Sequence, residues 1–405
     1  VYSSQSQLVS TKGADIRPDN SFNYSWRVRV WDETDTPSEW SSEAKFRAVP
    51  ERLSSGQWIG AITRQNAHLP EGRKFHGGEL KKPEVKAAWE AVDTLAKKSI
   101  CLRRTFQVGD AKEGGANRKP GKKIVEATAY VCGLGFYEFS LNGKKVGNSE
   151  FAPLWSDYDK TVYYNTYDVT EQLRRGENVV GILLGNGFYN VQGGRYRKLQ
   201  ISFGPPTLLF ELVINYEDGT CTTVHSDNNW KYDFSPVTFN CIYGGEDYDA
   251  RREQKGWNQI GFDDSHWRPV VIQEAPKGIL RPQMAAPVKI MERYDIQKVT
   301  KLNADQVASA SVSTKRTVDL SAFVLDMGQN LAGFPEITVR GKRGQKVTLI
   351  VAEALTEEGA CNQRQTGRQH YYEYTLKGEG DETWHPRFSY YGFRYIQVEG
   401  AVLKG

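Results

Sequence analysis

The chain has 405 residues, too many for one ordinary domain, so two or three domains are expected. Hydrophobic residues make up 39% and aromatic residues 12%, while three methionines and 38 glycines favour turn-rich β structure over helical bundles. The net charge of +4, with acids and bases interspersed, gives no case for nucleic acid as a partner, and no apolar run approaches the ~20 residues of a membrane span.

Residues 1–49 have the pattern of β-strands. Tyr24, Trp26, Val28 and Val30 alternate along one stretch and are predicted to share a face. This stretch and the returning strand at 43–49 resemble the last strands of a fibronectin type III-like domain. Such a domain needs about seven strands. Only its C-terminal part is therefore expected here.

Residues 50–98 are predicted to form a linker with one short strand and one helix. Pro83 suits the first turn of a helix, and apolar residues then recur at helical spacing as far as residue 96. Trp89 is the expected anchor of this helix, and core packing is favoured for it over ligand contact.

Residues 99–275 carry many short β-rich runs separated by turn residues, the pattern of a sandwich or jelly roll. Asn142-Gly143 between two such runs predicts a hairpin with a type I′ turn. The nearly continuous apolar run at 208–214 predicts a central strand.

A proline-bearing connector leads into the last part of the chain, so 276–405 is predicted to be a second β-sandwich without helices. Its strand candidates include 288–291, 307–313 and 346–352. The fold class expected for the chain is all-β, with consecutive jelly-roll-like sandwiches after a partial fibronectin type III-like fragment and one short helix.

Five scattered cysteines show neither zinc spacing nor a disulfide framework, so most are expected to be buried. No signal peptide is recognisable, and Val1 lies within a β-type sequence, as if the chain began inside a domain. The compartment is left open, with the periplasm or extracellular space favoured over the cytoplasm.

Acidic residues are the first candidates for chemistry, in the groups Asp157/Asp159 and Glu246/Asp247/Asp249. A glycosidase needs two carboxyl groups at a set separation, which sequence does not fix. Acids in β-loops are most often turn formers or surface charges, and no nucleophile elbow or zinc motif occurs. No residue is therefore assigned a catalytic role.

A direct or calcium-assisted sugar site fits the residue types better. Carboxylates and amides suit Ca²⁺, and aromatic faces stack on a pyranose while polar neighbours orient its hydroxyls. For each aromatic, including Phe188 and Tyr243, core packing remains the alternative. The candidate sugar-binding residues are Asn148, Glu150, Trp155, Asp157, Tyr158, Tyr189 and Glu246, with Asn148 and Glu150 as the metal ligands.

Several motifs together resemble the N-terminal modules of bacterial α-L-rhamnosidases. They are Asn142-Gly143-x-x-Val146-Gly147, Ala152-Pro153-Leu154-Trp155-Ser156-Asp157-Tyr158, Leu184-Gly185-Asn186-Gly187-Phe188-Tyr189 and Gly245-Glu246-Asp247-Tyr248-Asp249-Ala250-Arg251. Further on, Asp326-Met327-Gly328-Gln329-Asn330 and Arg387-Phe388-Ser389-Tyr390-Tyr391-Gly392 resemble the β-sandwich that precedes the catalytic module of these enzymes.

The resemblance implies hydrolysis of terminal α-L-rhamnosyl linkages, with inversion, in an (α/α)₆ barrel that follows the second sandwich. The family's acidic motif of the Asp-Cys-Pro-x-Arg-x-Glu type is not matched around Cys361, and only one helix is predicted. The chain is therefore interpreted as the non-catalytic N-terminal region of such an enzyme, with the barrel as its partner in the full-length protein.

In relatives, the first complete sandwich can hold L-rhamnose through Ca²⁺, with an acid-amide pair in the loop after Asn-Gly-x-x-Val-Gly. Here that place holds Asn148-Ser149, and Glu150 is the substitute carboxylate. Three hypotheses follow: a sugar-binding accessory region, a scaffold that braces the catalytic barrel, and an enzyme in its own right.

Overall fold

The structure is a computed structural model that describes residues 23–47, 53, 55–70, 75–109, 122–193, 195–196, 199–309, 322–366 and 369–402. The chain divides into two compact units, Val1–Ser54 and Ser55–Gly405. Residues 1–22 and 48–49 of the first predicted domain and 310–313 of one predicted strand lie outside the described residues.

The first unit contains one antiparallel pair, β1 (Asn23–Trp26) and β2 (Ala44–Arg47), with Tyr24 opposite Phe46. The strand β1 ends at Trp26, so only Tyr24 and Trp26 of the alternating residues lie in it. The apolar side chains of this stretch are open to solvent, with Trp26 50% and Val30 64% exposed.

The second unit is built almost entirely from strands. Those as far as residue 282 are β3 (Ile59–Gly60), β4 (Phe75–His76), β5 (Ile100–Val108), β6 (Ile124–Leu134), β7 (Tyr137–Leu141), β8 (Lys144–Lys145), β9 (Thr161–Asp168), β10 (Gly176–Leu184), β11 (Asn190–Val191), β12 (Leu199–Ser202), β13 (Thr207–Tyr216), β14 (Cys221–His225), β15 (Lys231–Phe234), β16 (Val237–Cys241), β17 (Gly245–Asp249), β18 (Arg268–Pro269), β19 (Val271–Ile272) and β20 (Ile279–Pro282). Those after it are β21 (Lys298–Leu302), β22 (Ala322–Gly333), β23 (Ile337–Val339), β24 (Lys346–Ala352), β25 (Ala354–Leu355), β26 (Cys361–Asn362), β27 (Tyr371–Thr375), β28 (Glu382–Trp384) and β29 (Tyr391–Glu399).

Two sheets form the first sandwich. One has the order β18-β15-β5-β10-β7-β8, and the other has β19-β3-β13-β6-β9-β20 with β14 also paired to β13. Leu102 and Ile182 from the first sheet share a core with Val131 and Phe210 from the second, and all four side chains are 0% exposed. The apolar run at 208–214 is therefore a central strand, as predicted.

The Asn-Gly hairpin is also confirmed. Asn142 (φ 52°) and Gly143 (φ 83°) both adopt positive φ, as a type I′ turn requires. The turn joins β7 to β8, with Leu141 opposite Lys144.

The second sandwich centres on the sheet β16-β17-β27-β24-β29-β22-β21. Its core packs Leu349, Tyr374, Phe393 and Ile396 against Trp384 of β28. The segment 288–291 forms a single bridge, in which the Glu150 N–H donates to the Val288 carbonyl at 2.8 Å, and not the predicted strand.

Strand pairing crosses the predicted boundary between residues 275 and 276 in both directions. β17 pairs in parallel with β27 in the second sandwich, and β20 pairs in parallel with β9 in the first. The two sandwiches are thus tied together by backbone hydrogen bonds as well as by side chains.

The all-β class is confirmed, but the described residues contain three α-helices where one was expected: α1 (Arg64–Ala67), α2 (Pro83–Glu90) and α3 (Ala304–Ser309). The predicted helix ends early because the Asp93 side chain accepts from the Leu95 N–H at 2.7 Å and starts a separate 3₁₀ turn. Trp89 is buried, as expected.

The prediction of no helix in the second sandwich was wrong, and so was the beginning of the strand predicted at 307–313, because residues up to 309 belong to α3. Asn303 and Gln306 cap it reciprocally, each backbone N–H donating to the other's side-chain oxygen at 2.9 Å. Among the described helices, none is long and apolar enough to cross a membrane.

Candidate functional site

The loop after the hairpin places the two predicted calcium ligands differently. Asn148 is exposed, while the Glu150 carboxylate accepts a hydrogen bond from the Lys145 ammonium at 2.7 Å. The same ammonium lies 3.8 Å from Glu138. A cation at Glu150 would have to displace this ammonium, and the described residues contain no group of three or more His, Cys, Asp or Glu able to hold a metal. These residues do not fit a Ca²⁺ site.

Asp157 acts locally as a turn former. Its side chain lies 3.1 Å from the Lys160 ammonium, and its carbonyl accepts the N–H groups of Lys160 and Thr161. The carboxylate is about half exposed, so it stands at the surface beside Trp155 in the chain.

Tyr158 and Tyr189 lie inside the fold, 3% and 5% exposed. Their rings meet edge to face at 5.1 Å, and the Tyr189 hydroxyl donates to the Phe203 carbonyl at 3.1 Å. Burial raises the pKa of both phenols. The structure therefore gives these tyrosines a packing role and leaves them no face for a sugar.

Glu246 is fully buried where the two sandwiches meet. Its carboxyl group accepts from the Arg387 N–H at 3.0 and 3.1 Å and from the Phe388 N–H at 2.9 Å. Burial raises the pKa of Glu246 to about 8, against the lowering effect of the two amides. This carboxyl group joins β17 to the loop before β29 and does not reach solvent.

Among the predicted aromatic residues, Trp155 has the most exposed side chain, at 58%. Its loop is held on both sides, because the Leu154 N–H donates to Gln283 at 2.9 Å and the Ser156 hydroxyl donates to the Thr161 carbonyl at 2.7 Å. The indole is therefore presented on a fixed backbone.

Three further rings extend from Trp155 into a surface that we call the aromatic platform, defined as Trp155, Phe188, Tyr243 and Tyr196. Trp155 stacks on Phe188 at 5.2 Å with an interplanar angle of 26°, Phe188 meets Tyr243 at 5.7 Å, and Tyr243 meets Tyr196 at 5.2 Å. The last three are partly buried, so the platform has one exposed end and one recessed end.

Glycine turns and buried polar residues set the recessed end of the platform. The turn before Phe188 is fixed by buried Asn186, whose N–H donates to Asn240 Oδ1 at 2.8 Å. Tyr196 follows Arg195, which forms an ion pair with Asp247 and donates to the Tyr371 carbonyl at 3.0 Å.

Polar groups surround this recessed end. Burial first, and then the neighbouring phenols of Tyr390 and Tyr196, raise the pKa of Tyr243. Burial and several neighbours, among them Tyr196 and Glu353, act on Tyr391 and raise its pKa to about 12. Phenol groups thus lie near Tyr243 and Tyr196 at the recessed end of the platform.

Tyr196 is not among the residues predicted from the sequence. Nothing local distinguishes it, because the burial of Arg195 depends on an ion pair and a ring contributed by distant strands. The structure thus brings together Trp155 with Phe188 and Tyr243, whereas Glu150 is engaged by Lys145 and Glu246 is buried.

These features define a protein built of interlocked β-sandwich modules that presents a fixed aromatic surface. The alpha-L-rhamnosidase N-terminal domain matches residues 122–292, the bacterial alpha-L-rhamnosidase concanavalin-like domain matches residues 316–404, and the Rha78A-like N-terminal immunoglobulin domain matches residues 1–49. The chain belongs to the α-L-rhamnosidase family, whose N-terminal domains it carries.

The individual relatives that resemble this chain are also α-L-rhamnosidases. An alpha-L-rhamnosidase of Formosa agariphila is 33% identical over all of this chain and 40% of its own length, and one of Streptomyces avermitilis is 36% identical over 78% of this chain and 29% of its own length. The crystal structure of the Aspergillus terreus enzyme superposes with a TM-score of 0.71 at 28% identity, covering 95% of this chain and 39% of that one. The chain thus spans well under half of these relatives.

The first 49 residues match an immunoglobulin domain, so the fibronectin type III-like assignment is not confirmed.

Proposed function

We propose that this chain is the non-catalytic N-terminal region of an α-L-rhamnosidase, and that its aromatic platform holds rhamnose-containing carbohydrate. The ordered match of the family's N-terminal domains supports the first part. The fixed, 58% exposed indole of Trp155, continued by Phe188, supports the second.

The chemistry of the platform suits a pyranoside. The C–H face of a sugar ring stacks on an indole, and hydroxyl and carboxylate groups then select its orientation. The exposed end supplies the stacking face, while Tyr243 and Tyr196 at the recessed end supply phenol groups. Binding proceeds without calcium, because Lys145 already neutralises Glu150.

Calorimetric titration with methyl α-L-rhamnoside up to millimolar concentrations tests the platform. A sugar that covers ~60 Å² of indole gains about 1.5 kcal/mol at 25 cal/mol per Å². Trp155→Ala is therefore expected to weaken binding roughly tenfold. Trp40→Ala is the matched control, because Trp40 is a similarly exposed tryptophan (51%) in the other unit.

Equal affinity in calcium and in a chelator is expected. No heat from the unmodified chain, or equal losses from the two tryptophan variants, would remove the sugar-binding part of the proposal. The chain alone is expected to release no rhamnose from an aryl α-L-rhamnoside, and turnover would show that it contains catalytic groups.

A structural scaffold is the second candidate function. The parallel pairing of β17 with β27 and the Glu246 contacts lock the two sandwiches together, which suits a brace. A scaffold without a sugar site predicts no response to any rhamnoside, together with association with a catalytic domain.

A further inference from the structure

An exposed apolar segment runs between the two sandwiches. No strand is formed between Pro282 and Lys298, yet the segment is anchored, because the Glu150 N–H donates to Val288 and Arg293 forms an ion pair with Glu336 at 2.7 Å. Its side chains are nevertheless open to solvent. We call this surface the apolar strip, defined as Met284, Val288, Ile290, Met291, Tyr294, Ile296 and Val299, which are 43% to 88% exposed.

The strip borders a groove of about 820 Å³. Residues 288–296 form one wall, and Met327, Leu331, Phe334 and Ile337 of the second sandwich line the other. The strip and the groove share Val288, Ile290, Met291, Tyr294 and Ile296, with charged side chains such as Lys289 and Asp295 between them. The exposed apolar residues are therefore clustered here, whereas scattered single ones would be ordinary.

All three methionines of the chain belong to this surface. Met284 is 88% and Met291 84% exposed, while Met327 lies at the base of the groove at 8%. Thioether side chains are flexible and polarizable, and they are used at surfaces that adapt to a protein partner. Except for Tyr294, the strip lacks rings on which a sugar could stack, so its chemistry differs from that of the aromatic platform.

We propose that the apolar strip is the docking surface for a folded domain of the α-L-rhamnosidase, one that lies in the part of the relatives this chain does not match. This inference rests on the proposed function. The chain covers 40% of the Formosa agariphila enzyme, so more than half of that relative lies outside the match. The strip exposes on the order of 700 Å², within the roughly 600–1,500 Å² of an interface between domains of one protein.

Methionine oxidation provides the test. Hydrogen peroxide converts exposed methionine to the sulfoxide, which peptide mass spectrometry quantifies for each residue. The 405-residue chain is treated alone and with a saturating amount of the unmatched portion of the Formosa agariphila enzyme, produced separately. Oxidation of Met284 and Met291 is expected to fall at least fivefold on mixing, while Met327 stays protected in both samples.

The double substitution Met284→Asp and Met291→Asp is expected to weaken the association at least tenfold. Val125→Asp is the control, since Val125 is 60% exposed on β6 outside the strip. Unchanged oxidation of both methionines in the mixture overturns the proposal, and so does equal affinity of the double variant. Concentration-dependent protection in the chain alone overturns it in favour of a second copy.

The proposed function is tested by rhamnoside binding at Trp155, which is measured on the unmodified chain and so does not depend on the strip substitutions. If the chain binds the rhamnoside but its methionines are not protected in the mixture, the docking surface is refuted and the sugar site stands. Failure in both assays removes the sugar site together with the docking surface.

Discussion

Replacing Glu246 by glutamine is expected to remove a pH dependence from the stability of the second unit. In the fold, burial raises the pKa of Glu246 from 4.5 to about 8. The native state therefore binds one more proton than the unfolded state between these values, and the free energy of unfolding falls as pH rises across that window. The stabilising effect is complete below pH 4.5 and is lost as pH passes through 8.

The magnitude follows from the shift. One pKa unit corresponds to about 1.4 kcal/mol, so a shift from 4.5 to about 8 is on the order of 5 kcal/mol at the alkaline limit. Glutamine resembles the protonated acid in shape and cannot ionise. Glu246→Gln is thus expected to match the unmodified chain near pH 5 and to exceed its stability at pH 9.

The assay is chemical denaturation of both proteins at pH 5, 7 and 9, with the difference between them taken at each pH so that other titrating groups cancel. Glu382→Gln is the matched control. Glu382 is also buried and also accepts from two backbone N–H groups, those of Lys377 (2.9 Å) and Gly378 (2.8 Å). Burial opposes its ionisation, but these amides and the Tyr374 hydroxyl outweigh it and lower the pKa of Glu382.

Glu382 is therefore ionised in both states from pH 5 to pH 9, and its difference curve should be flat. A flat curve for Glu246→Gln as well, or one in which the unmodified chain gains stability with rising pH, would refute the argument from burial.

Two further predictions concern packing. Gly185→Ala is expected to destabilise the second unit by about 1–3 kcal/mol, because its Cβ would clash with the buried Phe388 ring; Gly78→Ala, whose Cβ would meet nothing within 4 Å, should leave the melting temperature unchanged. Equal melting temperatures would show that the Phe388 ring moves aside freely. Ellman's reagent should label one thiol of the native chain, the exposed Cys221, and all five after denaturation, since burial raises the pKa of the four other thiols. More than one rapidly labelled thiol in the native chain would contradict the burial of Cys101, Cys132, Cys241 and Cys361.

Local signals determined much of the architecture. Positive φ at Asn142 and Gly143 follows from residue type, and the central strand follows from its apolar run, since a strand buried on both faces needs no alternation. The helix α3 was missed although its signal is local, because Asn303 and Gln306 form a reciprocal cap that the sequence argument passed over. The family too was recognisable from motifs alone.

What the tertiary structure decided is which side chains reach solvent. Trp155 and Tyr189 both lie beside turn residues and both carry rings, yet one is 58% and the other 5% exposed, because Phe203 and Tyr158 from other segments cover Tyr189. Glu246 has the sequence surroundings of a surface acid, but it is buried against Phe388, which lies 142 residues further along the chain. Burial is set by contacts between segments that are distant in the chain. A short stretch of sequence therefore predicts the strands and turns of this protein, but it does not predict which side chains are exposed.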